Sequence, residues 1–137
     1  ILMKFTTLQG RTKRVSRVRK YLIDWEAKSR SNIQYDTKSF LKNYWLNNVV
    51  FEEFPVAGTR LTLDFYNATK KIAIEVQGQQ HRKFVPFFHG NRMNYIDQLR
   101  RDKQKLEFCD INEIDLIEIY ESDITNKSLL KKFKKYL

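Results

Sequence analysis

A chain of 137 residues, 42% apolar and 14% aromatic, is long enough for one domain with its own core and too short for two. Its net charge of +10 is unevenly spread: residues 1–30 carry nine Lys/Arg against two acids and residues 121–137 five against two, around a nearly neutral middle. This balance points to a polyanionic partner, nucleic acid above all. The lone Cys109 excludes an internal disulfide framework and fits a reducing compartment such as the cytoplasm. No segment approaches the ~18 apolar residues of a membrane span, and no apolar h-region suggests a signal peptide, so no membrane partner is expected.

Residues 1–15 are polar and basic and read as an extended arm ahead of a single domain. In "SRVRKYLIDWEAKSR", Val18, Tyr21, Leu22 and Trp25 recur at helical spacing with Ser16 as N-cap, so a helix is expected. "TKSFLKNYWLNN" repeats the pattern with Phe40, Leu41, Tyr44 and Trp45. The period then changes. "VVFEEFPV", "RLTLDFY" and "KIAIEV" are short, β-branched and aromatic, and the turn-like links "AGT" and "NATK" predict an antiparallel meander. A Phe-rich loop follows over residues 79–91. "NYIDQLRRDKQKLEFCDI" reads as a helix with Tyr95, Leu99, Leu106 and Cys109 on its apolar stripe. "IDLIEIY" is a strand, and residues 126–137 form a basic C-terminal helix. The order is ααβββαβα, a mixed α/β fold with helices flanking a small sheet.

The acids in the second and third strands stand out. Period-two alternation puts Thr62 and Asp64 on one face of their strand, and Ala73, Glu75 and Gln77 on one face of the next. Pairing the strands brings Asp64 beside Glu75 and Gln77. Adjacent carboxylates repel unless a cation lies between them, and Mg²⁺ takes one or two carboxylates plus water and substrate phosphates. Such an ion generates hydroxide near neutral pH, which suits phosphodiester hydrolysis on a basic surface. The plain alternative is a solvent-facing hairpin with ordinary strand acids. Two His and one Cys do not make a closed zinc site.

The pattern "LDF…IAIEVQGQQH…RRDKQKLEFC…IDLIEI", over about residues 49–120, resembles the PD-(D/E)XK nuclease superfamily. More narrowly it resembles the branch of the very-short-patch-repair endonuclease and the phage homing endonucleases with an E-D-x-H-D signature. The resemblance implies a PD-(D/E)XK-like core and an Mg²⁺-dependent DNA endonuclease of phage homing type, with Mn²⁺ able to substitute. It implies double-stranded DNA as partner, the bacterial or phage-infected cytoplasm as setting, and a homodimer or two sequential nicks if both strands are cut. Asp64 and Glu75 take the metal-binding positions, Gln77 the position of the motif lysine, and His81 and Asp102 those of the family's His and final Asp, with Asp97 competing for the last. Gln77 departs from the family: an amide orients water but supplies no charge, so the cation must come from Lys103, Lys105 or a second metal. "TKSFLKNYW" also lacks the family's helix acid, for which Glu53 stands in, with Glu52 and Glu26 as alternatives.

DNA contacts are expected from Arg11, Lys13, Arg14, Arg17, Arg19 and Lys20 in the arm, from Arg82, Lys83 and Arg92 in the Phe-rich loop, and from Lys103 and Lys105. Phe84, Phe87 and Phe88 either cap the core or stack on bases. His89 is read as structural or phosphate-contacting. The rival functions are a mismatch nickase or Holliday-junction resolvase of the same fold, and a non-catalytic DNA-binding module.

Overall fold

The computed structural model describes residues 3–78 and 92–137. Two short strands, β1 (Lys4–Thr6) and β2 (Thr12–Arg14), pair as an antiparallel hairpin. Helix α1 (Asn32–Trp45) follows, capped by the Ser31 side chain, which accepts from the Gln34 N–H at 3.2 Å. Strands β3 (Val50–Pro55), β4 (Thr62–Asn67) and β5 (Ile72–Gly78) form the antiparallel meander. Helix α2 (Arg92–Ile111) then leads to β6 (Asp115–Tyr120), which lies parallel to β5, and α3 (Asn126–Phe133) closes the chain. The four-stranded sheet has the order β3-β4-β5-β6. Its mixed character follows from the connections: short turns permit antiparallel neighbours, whereas a parallel pair needs a crossover, in which α2 lies.

Both faces of the sheet are covered. Phe40, Leu41 and Trp45 of α1 and Leu129 and Phe133 of α3 pack with Phe65, Ile72, Ile74 and Ile119 on one face. Phe5, Phe51, Tyr66, Ala73, Phe108 and Cys109 fill the other. The turn between β3 and β4 depends on Gly58, at φ +85°: a Cβ there would meet the Thr7 methyl at 2.9 Å.

Three expectations need correction. Residues 3–15 are not an extended arm. Phe5 is buried, in edge contact with Phe54 and Tyr66, and Asn112 clamps the strand: its Oδ1 accepts from the Thr6 N–H at 2.8 Å while its Nδ2 donates to the Thr6 carbonyl at 2.9 Å. The helix expected over residues 16–30 is absent. Arg17 is left-handed (φ 51°), Val18–Tyr21 make one 3₁₀ turn, and the chain then runs along β3, where Leu22 bridges Phe51 and the Ile23 N–H donates to the Val50 carbonyl at 3.0 Å. The open edge of β3 offers backbone partners that a short helix would forgo, and tertiary pairing overrides the local periodicity. On α2, Leu99 and Leu106 are exposed while Phe108 and Cys109 are buried, so the apolar stripe is narrower than its spacing suggests.

A hairpin that belongs to the core has a measurable consequence. Phe5→Ala is expected to cost about 3 kcal/mol in urea unfolding, the usual scale for a buried Phe; a free arm would tolerate it unchanged.

Candidate active site

The ladder between β4 and β5 runs from Asn67–Ile72 through Tyr66–Ala73 to Phe65–Ile74 and ends there. Beyond it, two carboxylates take over the role of backbone carbonyls. The Asp64 N–H donates to Glu75 Oε2 at 2.7 Å, and the Val76 N–H donates to Asp64 Oδ2 at 2.7 Å. Each acid is thus held by the other's strand. Both are buried, at 7% and 4% exposure, which excludes the solvent-facing hairpin.

Helix α2 supplies the remaining charges. Lys105 Nζ donates to Glu75 Oε1 in an ion pair whose two side chains are largely buried. Asp102, one turn earlier and half-buried, hydrogen-bonds the Gln77 side chain. The structure therefore brings Asp64, Glu75, Gln77, Asp102 and Lys105 together. Lys103 instead faces Glu107 at 3.9 Å, and Asp97 pairs with Arg100 at 3.4 Å on the exposed side of the helix. His81, Arg82 and Lys83 lie outside the described residues, as do His89 and the loop phenylalanines. Arg92 is exposed at the start of α2. Arg11, Lys13, Arg14, Arg17, Arg19 and Lys20 are all exposed on the hairpin and the turn that follows it.

Of the three acids considered beside the pair, Glu53 is the neighbour. It follows Glu52, which pairs with Phe65, and its charge acts on Asp64. It also takes a left-handed backbone (φ 53°) inside a strand, where no turn requires it. Arg30, Gln34 at 3.0 Å and Thr62 at 3.2 Å hold its carboxylate. Glu52 is tied to Lys38 at 2.9 Å, and Glu26 pairs with Lys42 on the surface. The fully buried Lys38, which also donates to the Asp24 carbonyl at 3.0 Å, and the buried Gln34 were not foreseen. The signal was present: Gln34, Lys38, Leu41 and Trp45 follow helical spacing, so two polar residues share the inward stripe.

Burial pushes the Asp64 carboxyl up to about 7, with the Glu75 charge adding to the rise and the Val76 N–H opposing it. Burial also raises Glu75, against the pull of Lys105. Asp102 is raised by burial, while Lys105 and the Gln77 hydrogen bond lower it. Cys109 is pushed up to about 12 by burial, which leaves it an inert core thiol.

Two neighbouring carboxylates are the donor type a hard divalent ion takes, with water completing its shell. Among the described residues, no group of three or more His, Cys, Asp or Glu could hold a metal, so these side chains form no closed cage. Among the described residues, too, no helix is long and apolar enough to cross a membrane.

No protein-family model matches the chain, and no solved structure matches it. Three viral proteins are similar over part of it. Uncharacterized protein 307L of Invertebrate iridescent virus 6 is 39% identical over 59 residues, 43% of this chain and 30% of the relative. Uncharacterized protein 033L of Invertebrate iridescent virus 3 is 37% identical over 65 residues, 47% and 34% of the two chains. Uncharacterized protein 094L of Frog virus 3 is 42% identical over 66 residues, 47% and 43%. The matched stretch spans less than half the length of each of these relatives.

The raised Asp64 carboxyl carries a sign. A carboxyl whose folded value lies above its ordinary 3.8 takes up a proton on folding, so its contribution to stability is present below about pH 4 and lost as pH rises through 7. In metal-free buffer, the stability of the wild type relative to Asp64→Asn is expected to fall by on the order of 2 kcal/mol between about pH 4 and 7.5. Urea unfolding of both proteins across that range checks it; a pH-independent difference contradicts the buried, raised carboxyl.

Proposed function

We propose that this chain is a metal-dependent DNA endonuclease, of the homing type implied by its resemblance to PD-(D/E)XK nucleases. The observation that carries the reading is the pair of buried carboxylates, Asp64 and Glu75, at the end of a β-ladder with Lys105 against them. A protein core does not gain stability from two adjacent desolvated acids, and perturbed carboxylates grouped with a cation are a common signature of catalytic sites. The net charge of +10 supports a polyanionic substrate, and the viral relatives support a virus-borne gene.

In this reading Asp64 and Glu75 hold Mg²⁺, for which Mn²⁺ substitutes. The bound ion would activate water and polarise the phosphodiester. Gln77, fixed by Asp102, orients the attacking water through its amide. Lys105 supplies the positive charge that Gln77 lacks and stabilises the charge developing on the phosphate. His81 and Asp102 assist proton transfer. Glu53 stands beside Asp64 as the third acid of the set, its carboxylate held by Arg30, Gln34 and Thr62.

A second reading has one observation in its favour. The Lys105–Glu75 ion pair already gives Glu75 a cationic partner, as in a DNA-binding module whose acids are structural.

Plasmid cleavage separates the two. The wild type is expected to nick or linearise supercoiled DNA with Mg²⁺ and not with EDTA. Glu75→Gln and Lys105→Met are each expected to lose at least about 100-fold in rate. Cleavage that survives Asp64→Ala and Glu75→Ala would sink the site assignment. DNA binding without cleavage, and without calorimetric uptake of Mg²⁺, would leave the binding module.

A further inference from the structure

The segment that replaces the expected helix creates a surface. Between residues 20–30 and the outer edge of β3 runs an open groove of about 300 Å³, lined by Lys20, Tyr21, Lys28 and Arg30 together with Asp24, Glu52 and Glu53. Tyr21 also lines a second groove of about 170 Å³, which continues to Lys13 and Arg14 on β2 and to Gly58 in the β3–β4 turn. The two share a wall, so the cations lie along one path.

The charges on that path are not equivalent. Its acids are engaged. Asp24 caps the turn after it by accepting from the Glu26 N–H at 3.0 Å. Glu52 accepts from Lys38 at 2.9 Å, Gln34 at 2.8 Å and Ser29 at 2.7 Å. Glu53 is tied to Arg30. The cations are largely unengaged. Among the described residues, Lys13, Arg14, Lys20 and Lys28 form no ion pair with an acid, and Lys20 only overhangs the Tyr21 ring at 5.1 Å from its centroid. The buried Lys38 and the bridged Arg30 offset Glu52 and Glu53, which leaves a positive path. One end of it reaches the candidate site: Glu53 lines the groove, and the register that pairs Glu52 with Phe65 and Phe54 with Leu63 sets it across from Asp64 on β4.

We propose that this path seats the sugar–phosphate backbone of the DNA strand, with Lys13, Arg14, Lys20 and Lys28 on successive phosphates and the Glu53 end delivering the strand to Asp64 and Glu75. The inference rests on the nuclease reading and adds to it where the substrate lies. It assigns a binding role to Lys28, which lies in the segment where a helix was expected and none forms. These lysines and the arginine contact phosphate rather than base edges, so the path confers affinity and register rather than sequence preference.

The test is the salt dependence of binding to a fluorescently labelled duplex, followed by anisotropy with the full chain in EDTA, so that cleavage does not intervene. Each phosphate contact contributes about 0.9 to the slope of log affinity against log salt, so Lys20→Ala combined with Lys28→Ala is expected to lower that slope by about 2. The charge-matched control, Lys131→Ala with Lys134→Ala on α3 and the turn after it, is expected to lower it by less than about 0.5. All four side chains are exposed, so thermal unfolding of both variants is expected to match the wild type. An unchanged slope in the groove variant, or an equal loss in the control, overturns the path. If the wild type still cuts DNA in Mg²⁺, the nuclease reading survives that result. A wild type that binds no DNA at all overturns both.

Discussion

Two carboxylates accepting backbone hydrogen bonds where a β-ladder stops set the terms for everything around them. Strands β4 and β5 part beyond Phe65 and Ile74, and Asp64 and Glu75 satisfy the amides that the parting exposes. A buried amide left without a partner costs about as much as a lost hydrogen bond, so the acids are structural at that point whatever else they do. Their burial also means that cations must come to them. The parallel placement of β6 beside β5 follows from the crossover in which α2 lies, and α2 is the element that brings Lys105 to Glu75 and Asp102 to Gln77. The apolar floor under this arrangement, Tyr66, Ala73, Phe108 and Cys109, keeps the helix seated.

The edge of the sheet is handled with similar economy. β3 has β4 on one side only, and an open edge invites pairing with other chains. Here residues 22–23 bond to it, the left-handed Glu53 interrupts its regularity, and Lys38 inserts a buried cation beneath Glu52. Removing one member of such a buried pair leaves an uncompensated charge, which is why Lys38, Glu52 and Gln34 behave as one unit rather than as three surface residues.

Much of this was legible in the residues. Alternation with period two correctly set Asp64 beside Glu75, because the pleat decides which side chains of neighbouring strands meet. The meander, the second expected helix and the basic C-terminal helix were readable from periodicity and turn chemistry. What escaped depended on contacts distant in sequence. Val18, Tyr21, Leu22 and Trp25 keep helical spacing, yet the free edge of β3 recruits their backbone instead. Phe5 sits among polar neighbours, and only the fold supplies the aromatic ring of Phe54, Tyr66 and Phe108 that buries it. The choice between Lys103 and Lys105, two residues apart on a helix, required the helix's rotation about its axis, which the sequence alone does not provide.

The Asn112 clamp bears on how the chain acquires its shape. It joins residues separated by 106 positions, and its amide holds both backbone groups of Thr6. Contacts so remote in sequence close a long loop, at an entropic cost above that of a local contact. During synthesis β1 emerges long before Asn112 does, so the Thr6 N–H and carbonyl lack this partner until the end of α2 has been made. Protection of the Thr6 amide, whose acceptor is the Asn112 side chain, therefore reports that the chain has closed through the end of α2.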